Sequence, residues 1–273
     1  MAHLELLATG VHAWLADDPG SGRPNAGAVV DADGVTVVDT LMVPSQFEPF
    51  ADAVEAFELP VPRVVLSSGH LEFAGGTRRF RLAAVYGTRQ ASALLDTPAN
   101  PEVFRRLHPD FAGQLGDDDV RTRPVSHVVD EPAWLTPAVA VVPSGGEMLQ
   151  NLVAVVPGAE VCFAGAVCSF GVTPVAYDGD PAAWADALDA VVELAPRIVP
   201  GHGPVGGEPE LRAQQAYLRA CVAADGDPNR IGSGPWDDWP GREWDAVNVE
   251  RAARLAVGDP SPPPSLLRRV GLA

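Results

Sequence analysis

The chain has 273 residues, 47% of them hydrophobic and 20% charged, enough apolar material for one large core or two small ones. Its formal charge is −17 and every basic side chain is Arg; the missing Lys excludes lysine Schiff-base and P-loop chemistry, and the acidity argues against a nucleic-acid partner. No apolar run reaches the roughly 20 residues that span a bilayer, the start MAHLELLATGVHAWLADD lacks a signal-peptide pattern, and Cys162, Cys168 and Cys221 make no disulfide framework, so the expectation is a reduced, cytoplasmic protein with no membrane partner.

In chain order, the first forty residues read as β structure, with short apolar or alternating runs at 12–16, 27–30 and 35–39 between turn clusters. The spacing of Phe47, Phe50, Val54 and Phe57 predicts a helix over 44–57. A buried strand at 64–66 enters the loop SSGHLEFAGG, followed by a helix from 74 to about 82 and a strand at 84–86. Arg78, Arg79 and Arg81, the densest basic cluster, read as a solvated helix face. Residues 88–119 are polar and helix-like, and strands resume at 125–129, 139–142, 152–156 and 161–164. An amphipathic helix at 181–194 carries Trp184, Leu188, Val191 and Val192 on one face. A brief strand at 198–199 ends in PGHGPVGG; helices at 209–223 and 244–255 follow, then a tail containing PSPPPS. Two strand-to-helix halves without a linker predict one α/β domain over 1–273, with a core at about 8–208 and C-terminal helices and tail at 209–273.

The segment VVLSSGHLEFAGG at 64–76 resembles the signature loop of the metallo-β-lactamase fold, whose usual form is T-H-x-H-x-D-H-x-G-G after a strand. GVTVVDT at 34–40, LVAVVPGAEVCFAG at 152–165, GVTPVAYDG at 171–179, VPGHGPVGG at 199–207 and WDAVNVERA at 244–252 match in order, so the resemblance covers about residues 8 to 256. It implies a four-layer αββα sandwich and a hydrolase-like scaffold. In that family five histidines and two aspartates hold two metal ions. Mapped onto this chain, the first histidine falls on Ser68, the second is kept as His70, the aspartate becomes Glu72 and the third histidine Phe73. The mid-chain histidine falls on Glu147, the bridging aspartate on Ala166, and the last histidine is kept as His202.

The resemblance therefore implies a degenerate metal site. A catalytic zinc needs three protein ligands and an open position, but His70 with Glu147 and Glu72 with His202 supply two each, and a methyl replaces the bridge. Two cations roughly 3.5–4 Å apart need such an anionic bridge, so a standard dinuclear hydrolase is not expected. Two alternatives stay open. One is a single divalent ion, Zn or Fe, on His70, Glu147 and His202, with Glu72 reaching in. The other has no cofactor, and the same four groups perform acid–base catalysis.

The expected mechanism has His70 as base oriented by Glu72, while Glu147 and His202 polarise or protonate a small-molecule substrate in hydrolysis, ring closure or elimination. Its pocket is expected to be lined by Ser68, Phe73, Met148, Ala166, Cys168 and Phe170. Ser68 reads as a loop hydrogen-bonder or a nucleophile beside His70, and Cys168 as a small buried hydrophobe. His3, His12, His108 and His127 are expected at the surface or at strand edges; Trp236, Trp239 and Trp244 read as a pocket mouth or a tail anchor. The alternative from another class is a binding or scaffold protein that kept the fold and lost metal and activity.

Overall fold

Alternating apolar runs assemble two β-sheets in the computed structural model, which describes residues 2–272. The first sheet holds seven strands in sequence order: β1 (His3–Ala8), β2 (Val11–Leu15), β3 (Ala26–Asp31), β4 (Gly34–Val38), β5 (Arg63–Val65), β6 (Ala84–Gly87) and β7 (His127–Val128). The first four pair antiparallel, and β4 to β7 pair parallel. Parallel neighbours need a crossover, which α1 (Pro44–Glu55) provides between β4 and β5. The second sheet adds β8 (Ala133–Trp134), β9 (Ala140–Ser144), β10 (Asn151–Val156), β11 (Val161–Ser169) and β12 (Arg197–His202), ordered β12-β11-β10-β9-β8. Only its β11–β12 pair is parallel, and α5 (Pro181–Val192) makes that crossover.

Three apolar layers follow from the period-2 alternation of the strands. Between the sheets, Val11, Val29 and Val38 meet Val141, Leu152 and Phe163. Outside the first sheet, Phe50, Ala51 and Val54 of α1 cover Val35, Val37 and Val64. Outside the second, α5, α6 (Glu208–Ala223) and α7 (Asp245–Ala256) lay Trp184, Leu188, Leu218 and Val249 over Val153, Val155 and Cys162. The result is the predicted α/β order of helix, sheet, sheet, helix.

Several boundaries differ from the sequence expectation for physical reasons. The helix expected at 74–82 is instead the four-residue α2 (Leu71–Ala74) followed by a 3₁₀ turn over Gly75–Arg79. A Cβ at Gly75 would stand 2.1 Å from the Met42 carbonyl oxygen, and one at Gly76 would stand 2.3 Å from that of Thr40. The glycines therefore let this turn press against the 40–42 loop, at the cost of helix length. Residues 88–119 resolve into α3 (Arg89–Leu95), α4 (Pro101–Leu107) and a 3₁₀ turn, with Thr88 and Asn100 accepting N-terminal amide hydrogens at the two α-helix starts. The strand expected at 125–129 shrinks to β7 on an exposed edge, while β11 runs on to Ser169 through register shifts near Gly165. Two elements, β8 and α8 (Pro264–Arg269), have no counterpart among the expected ones.

Candidate functional site

The site gathers where three connections meet. The loop after β5 delivers His70 as the N-cap residue of α2. Its turn is fixed by the His70 amide, which donates to Ser68 Oγ (3.1 Å), while the Ser68 hydroxyl donates to Met148 Sδ (3.1 Å). The turn between β9 and β10 brings Glu147 and is held by Asn151, whose Oδ1 accepts from the Met148 amide (3.0 Å) and whose Nδ2 donates to the Ser67 carbonyl (3.0 Å). The loop after β11 brings Tyr177 and Asp178. It is clamped by α7: Asn248 bonds the Ala176 amide and the Pro174 carbonyl, and Arg251 donates to the carbonyls of Asp178 and Gly179.

His70 is the hub. Its Nδ1–H donates to Glu147 Oε1 (2.7 Å) and its Nε2–H to Asp178 Oδ2 (2.9 Å). Burial opposes a charged imidazole, but the two carboxylates outweigh it and hold the His70 pKa well above its ordinary 6.5. Asp178 is held below the usual carboxylate range, foremost by its hydrogen bond from His70. A buried imidazolium thus sits between a buried acid, Glu147, and one whose side chain is 55% exposed, Asp178. The edge of the His70 ring meets Tyr177, with centroids 5.7 Å apart.

Glu72 does not orient His70. Its Oε1 accepts a short hydrogen bond from the Gly22 amide. Burial works against its ionisation, but His108, His202 and that amide prevail and keep its pKa below the ordinary value. His202 stands apart from the His70 hub: its Nδ1–H donates to the Arg23 carbonyl (3.3 Å) and its ring lies edge-on to Phe73, with centroids 5.7 Å apart. The structure thus joins His70 with Glu147, and places Glu72 and His202 in a neighbouring group.

A cavity of about 430 Å³ opens beside these residues, lined at its polar end by His70, Glu72, His108, Tyr177 and Asp178. Leu94, Val103, Phe104, Leu107, Leu266 and Leu267 form much of its apolar wall. The lining expected from sequence is elsewhere. Ser68, Phe73, Met148 and Ala166 are buried behind the loops, Ser68 with its hydroxyl committed to the turn, so it is no nucleophile for a His70 whose nitrogens are both occupied. Cys168 and Phe170 pack in the core beneath α5 and α6. Burial raises the Cys168 pKa and pushes Cys162 and Cys221 up to about 12, so these thiols are inert.

His108, expected at the surface, is buried at the cavity wall, where burial lowers its pKa. Its short helix α4 folds back over the site, an arrangement that local sequence spacing does not encode. Asp178 and Tyr177 were missed as well; both lie in the matched segment GVTPVAYDG, at positions onto which no family ligand maps. Trp244 packs edge-on against Tyr177, and Trp236 and Trp239 pack against Tyr217. All three tryptophans therefore anchor the late loop.

No protein-family profile matches the chain, and no curated protein does. Solved structures do. VMB-1 is 16% identical with a TM-score of 0.64, over 81% of this chain and 98% of that one. The metallo-β-lactamase FIM-1 from Pseudomonas aeruginosa, in its mono-zinc form, is 19% identical with a TM-score of 0.61, over 80% and 95%. A metallo-β-lactamase from Erythrobacter litoralis is 20% identical with a TM-score of 0.59, over 79% and 95%. The chain has the metallo-β-lactamase fold.

Its donors do not fit the metal that FIM-1 holds. Both nitrogens of His70 are spent on carboxylates, Glu147 is bonded to His70 rather than beside it, and His202 faces Arg23 and Phe73. The single-ion set of His70, Glu147 and His202 is therefore not assembled. Among the described residues no three His, Cys, Asp or Glu side chains converge on one point.

Proposed function

We propose that the protein uses the metallo-β-lactamase scaffold for metal-independent acid–base chemistry on a small, largely apolar molecule, by hydrolysis, ring closure or elimination. The observation that carries this reading is the Glu147–His70–Asp178 bridge opening onto the cavity. Acid–base catalysis needs two titratable groups driven to opposite protonation states. His70 is driven towards imidazolium and Glu72 towards carboxylate. His70 is then the acid. When a substrate oxygen takes the place of the more exposed Asp178, Nε2–H is free to protonate it, and Glu147 steadies the ring through Nδ1. Glu72 is the base, since its Oε2 makes no hydrogen bond among the described residues.

A second reading is favoured by the occupancy of both His70 nitrogens. It is a ligand-binding protein in which Asp178 never yields its place and no turnover occurs.

The test is turnover of a panel of esters, thioesters and lactones by protein dialysed against a chelator. Wild type is expected to keep its activity, and His70→Gln and Glu72→Gln each to lower kcat/KM by roughly 10²–10⁴. Activity restored only by zinc, with zinc bound stoichiometrically, overturns the acid–base reading. No turnover by wild type leaves the binding reading.

A further inference from the structure

The polar end of the cavity holds groups that want a hydrogen-bond donor. Glu72 is 4% exposed and lines the cavity, yet only its Oε1 is used; its Oε2 makes no hydrogen bond among the described residues. The buried His108 ring stacks on Phe104, with centroids 6.2 Å apart, and its nitrogens likewise make none. The Tyr177 hydroxyl is sealed off beside that of Ser21, so only the rest of its side chain lines the cavity. A carboxylate out of water and half-paired is costly unless something charged or protic meets it.

The charged surroundings select what that something is. A ligand carboxylate would face Glu72 and Asp178, while both ring nitrogens of His70 are already bonded to Glu147 and Asp178. The nearby guanidinium groups are engaged elsewhere. Arg251 donates to the carbonyls of Asp178, Gly179 and Pro260, Arg269 lies over the Trp244 ring at 4.0 Å, and neither lines the cavity. An alcohol offers one donor to the two acceptors on Glu72 and His108 and no charge to meet the carboxylate. An ammonium offers three donors and a charge, and most of the remaining wall is apolar side chains from α3, α4 and the C-terminal segment, with Thr97, Asn100 and Thr122 set among them. We propose that the cavity binds a primary amine on an aliphatic body, with the ammonium on Glu72 Oε2 beside His108 and the carbon chain along Leu94, Val103 and Leu267. This rests on the reading of the cavity as the ligand site and names the ligand class; with an ammonium on Oε2, the proton that Glu72 would accept as base is the ammonium's own.

Isothermal titration of the full chain at pH 7 with n-octylamine, octan-1-ol and sodium octanoate tests it. Octylamine is expected to bind at least about tenfold more tightly than either analogue, the scale of one charged hydrogen bond. Glu72→Gln, which keeps an acceptor for the Gly22 amide, is expected to level the amine and alcohol. Leu267→Trp, filling the apolar end from an outer segment, is expected to lose all three. Octanoate or octanol binding as tightly as the amine, no octylamine binding to wild type, or an undiminished preference in Glu72→Gln overturns the proposal. Should Glu72→Gln fail to give a cooperative melt, the wild-type ratio of amine to octanoate and octanol decides alone. The readout is equilibrium binding, so octylamine binding without turnover of any panel substrate removes the catalytic reading and leaves this one standing.

Discussion

At residue scale, Asp39 carries an unusual load for a side chain outside the cavity. It is buried at the end of β4 with a positive φ of 59°, and its two oxygens accept the Ser67 amide (2.7 Å) and hydroxyl (2.7 Å). Ser67 Oγ in turn accepts the Ala166 amide (3.0 Å), so one acid ties the β5 loop to β11. Burial pushes its carboxyl up to about 7 despite those hydrogen bonds. A raised acid binds its proton more tightly folded than unfolded, so its stabilisation is full below its ordinary 3.8 and is lost as pH rises towards 7. Thermal melts between pH 4 and 8 should show wild type losing stability relative to Asp39→Asn, with a slope of up to about 1.4 kcal/mol per pH unit. Parallel curves would assign Asp39 an ordinary pKa. None of this was legible beforehand, because burial and partner geometry belong to the folded chain. The same limit explains why His70 and Glu147 were singled out as groups while their direct bond, and the part of Asp178, were not.

Elements were legible where their apolar spacing was long enough to show a period. The helices at 44–55, 181–192 and 208–223 fall within two residues of expectation because each lays a row of large side chains on a sheet. α8 escaped because six residues after a proline run show no period. Its neighbours hold it down. The Ser265 amide donates to Glu250 Oε2 (2.8 Å), Arg268 pairs with Glu250 at 3.6 Å, and Arg269 stacks on Trp244. Leu266, Leu267 and Val270 thereby become cavity wall. Truncation after Asp259 is expected to cost about 1–3 kcal/mol, from partial exposure of these side chains, and to raise the fluorescence of an added anilinonaphthalene sulfonate dye. Unchanged fluorescence would mean that the segment is no wall.

At the scale of the whole molecule, nineteen basic against thirty-six acidic side chains leave −17 on one α/β sandwich. Many arginines are already committed, as Arg79 is to Glu48, Asp52 and Glu55, and Arg212 to Glu208 and Asp189. The excess acid repels itself, and salt screens that repulsion over a Debye length of about 10 Å at 0.1 M. The melting temperature is therefore expected to rise between about 0.02 and 0.5 M sodium chloride, where the Debye length shortens severalfold. A fall would mean that the arginine pairs outweigh the repulsion. The layered architecture itself was legible from strand alternation and the ordered motifs, since each sheet face must find a cover.

Arg251 links two of these scales. Its guanidinium reaches the carbonyls of Asp178 (2.9 Å) and Gly179 (3.1 Å) with two nitrogens and that of Pro260 (2.9 Å) with the third. The chain end and the acid beside His70 are therefore geared to a single side chain. On the proposed acid–base reading, a guest that displaces Asp178 would pull on the loop that Arg251 ties to the segment around Pro260. By thermodynamic reciprocity, loosening of that segment would then ease the displacement of Asp178 to the same degree, so entry and priming would be linked through one side chain.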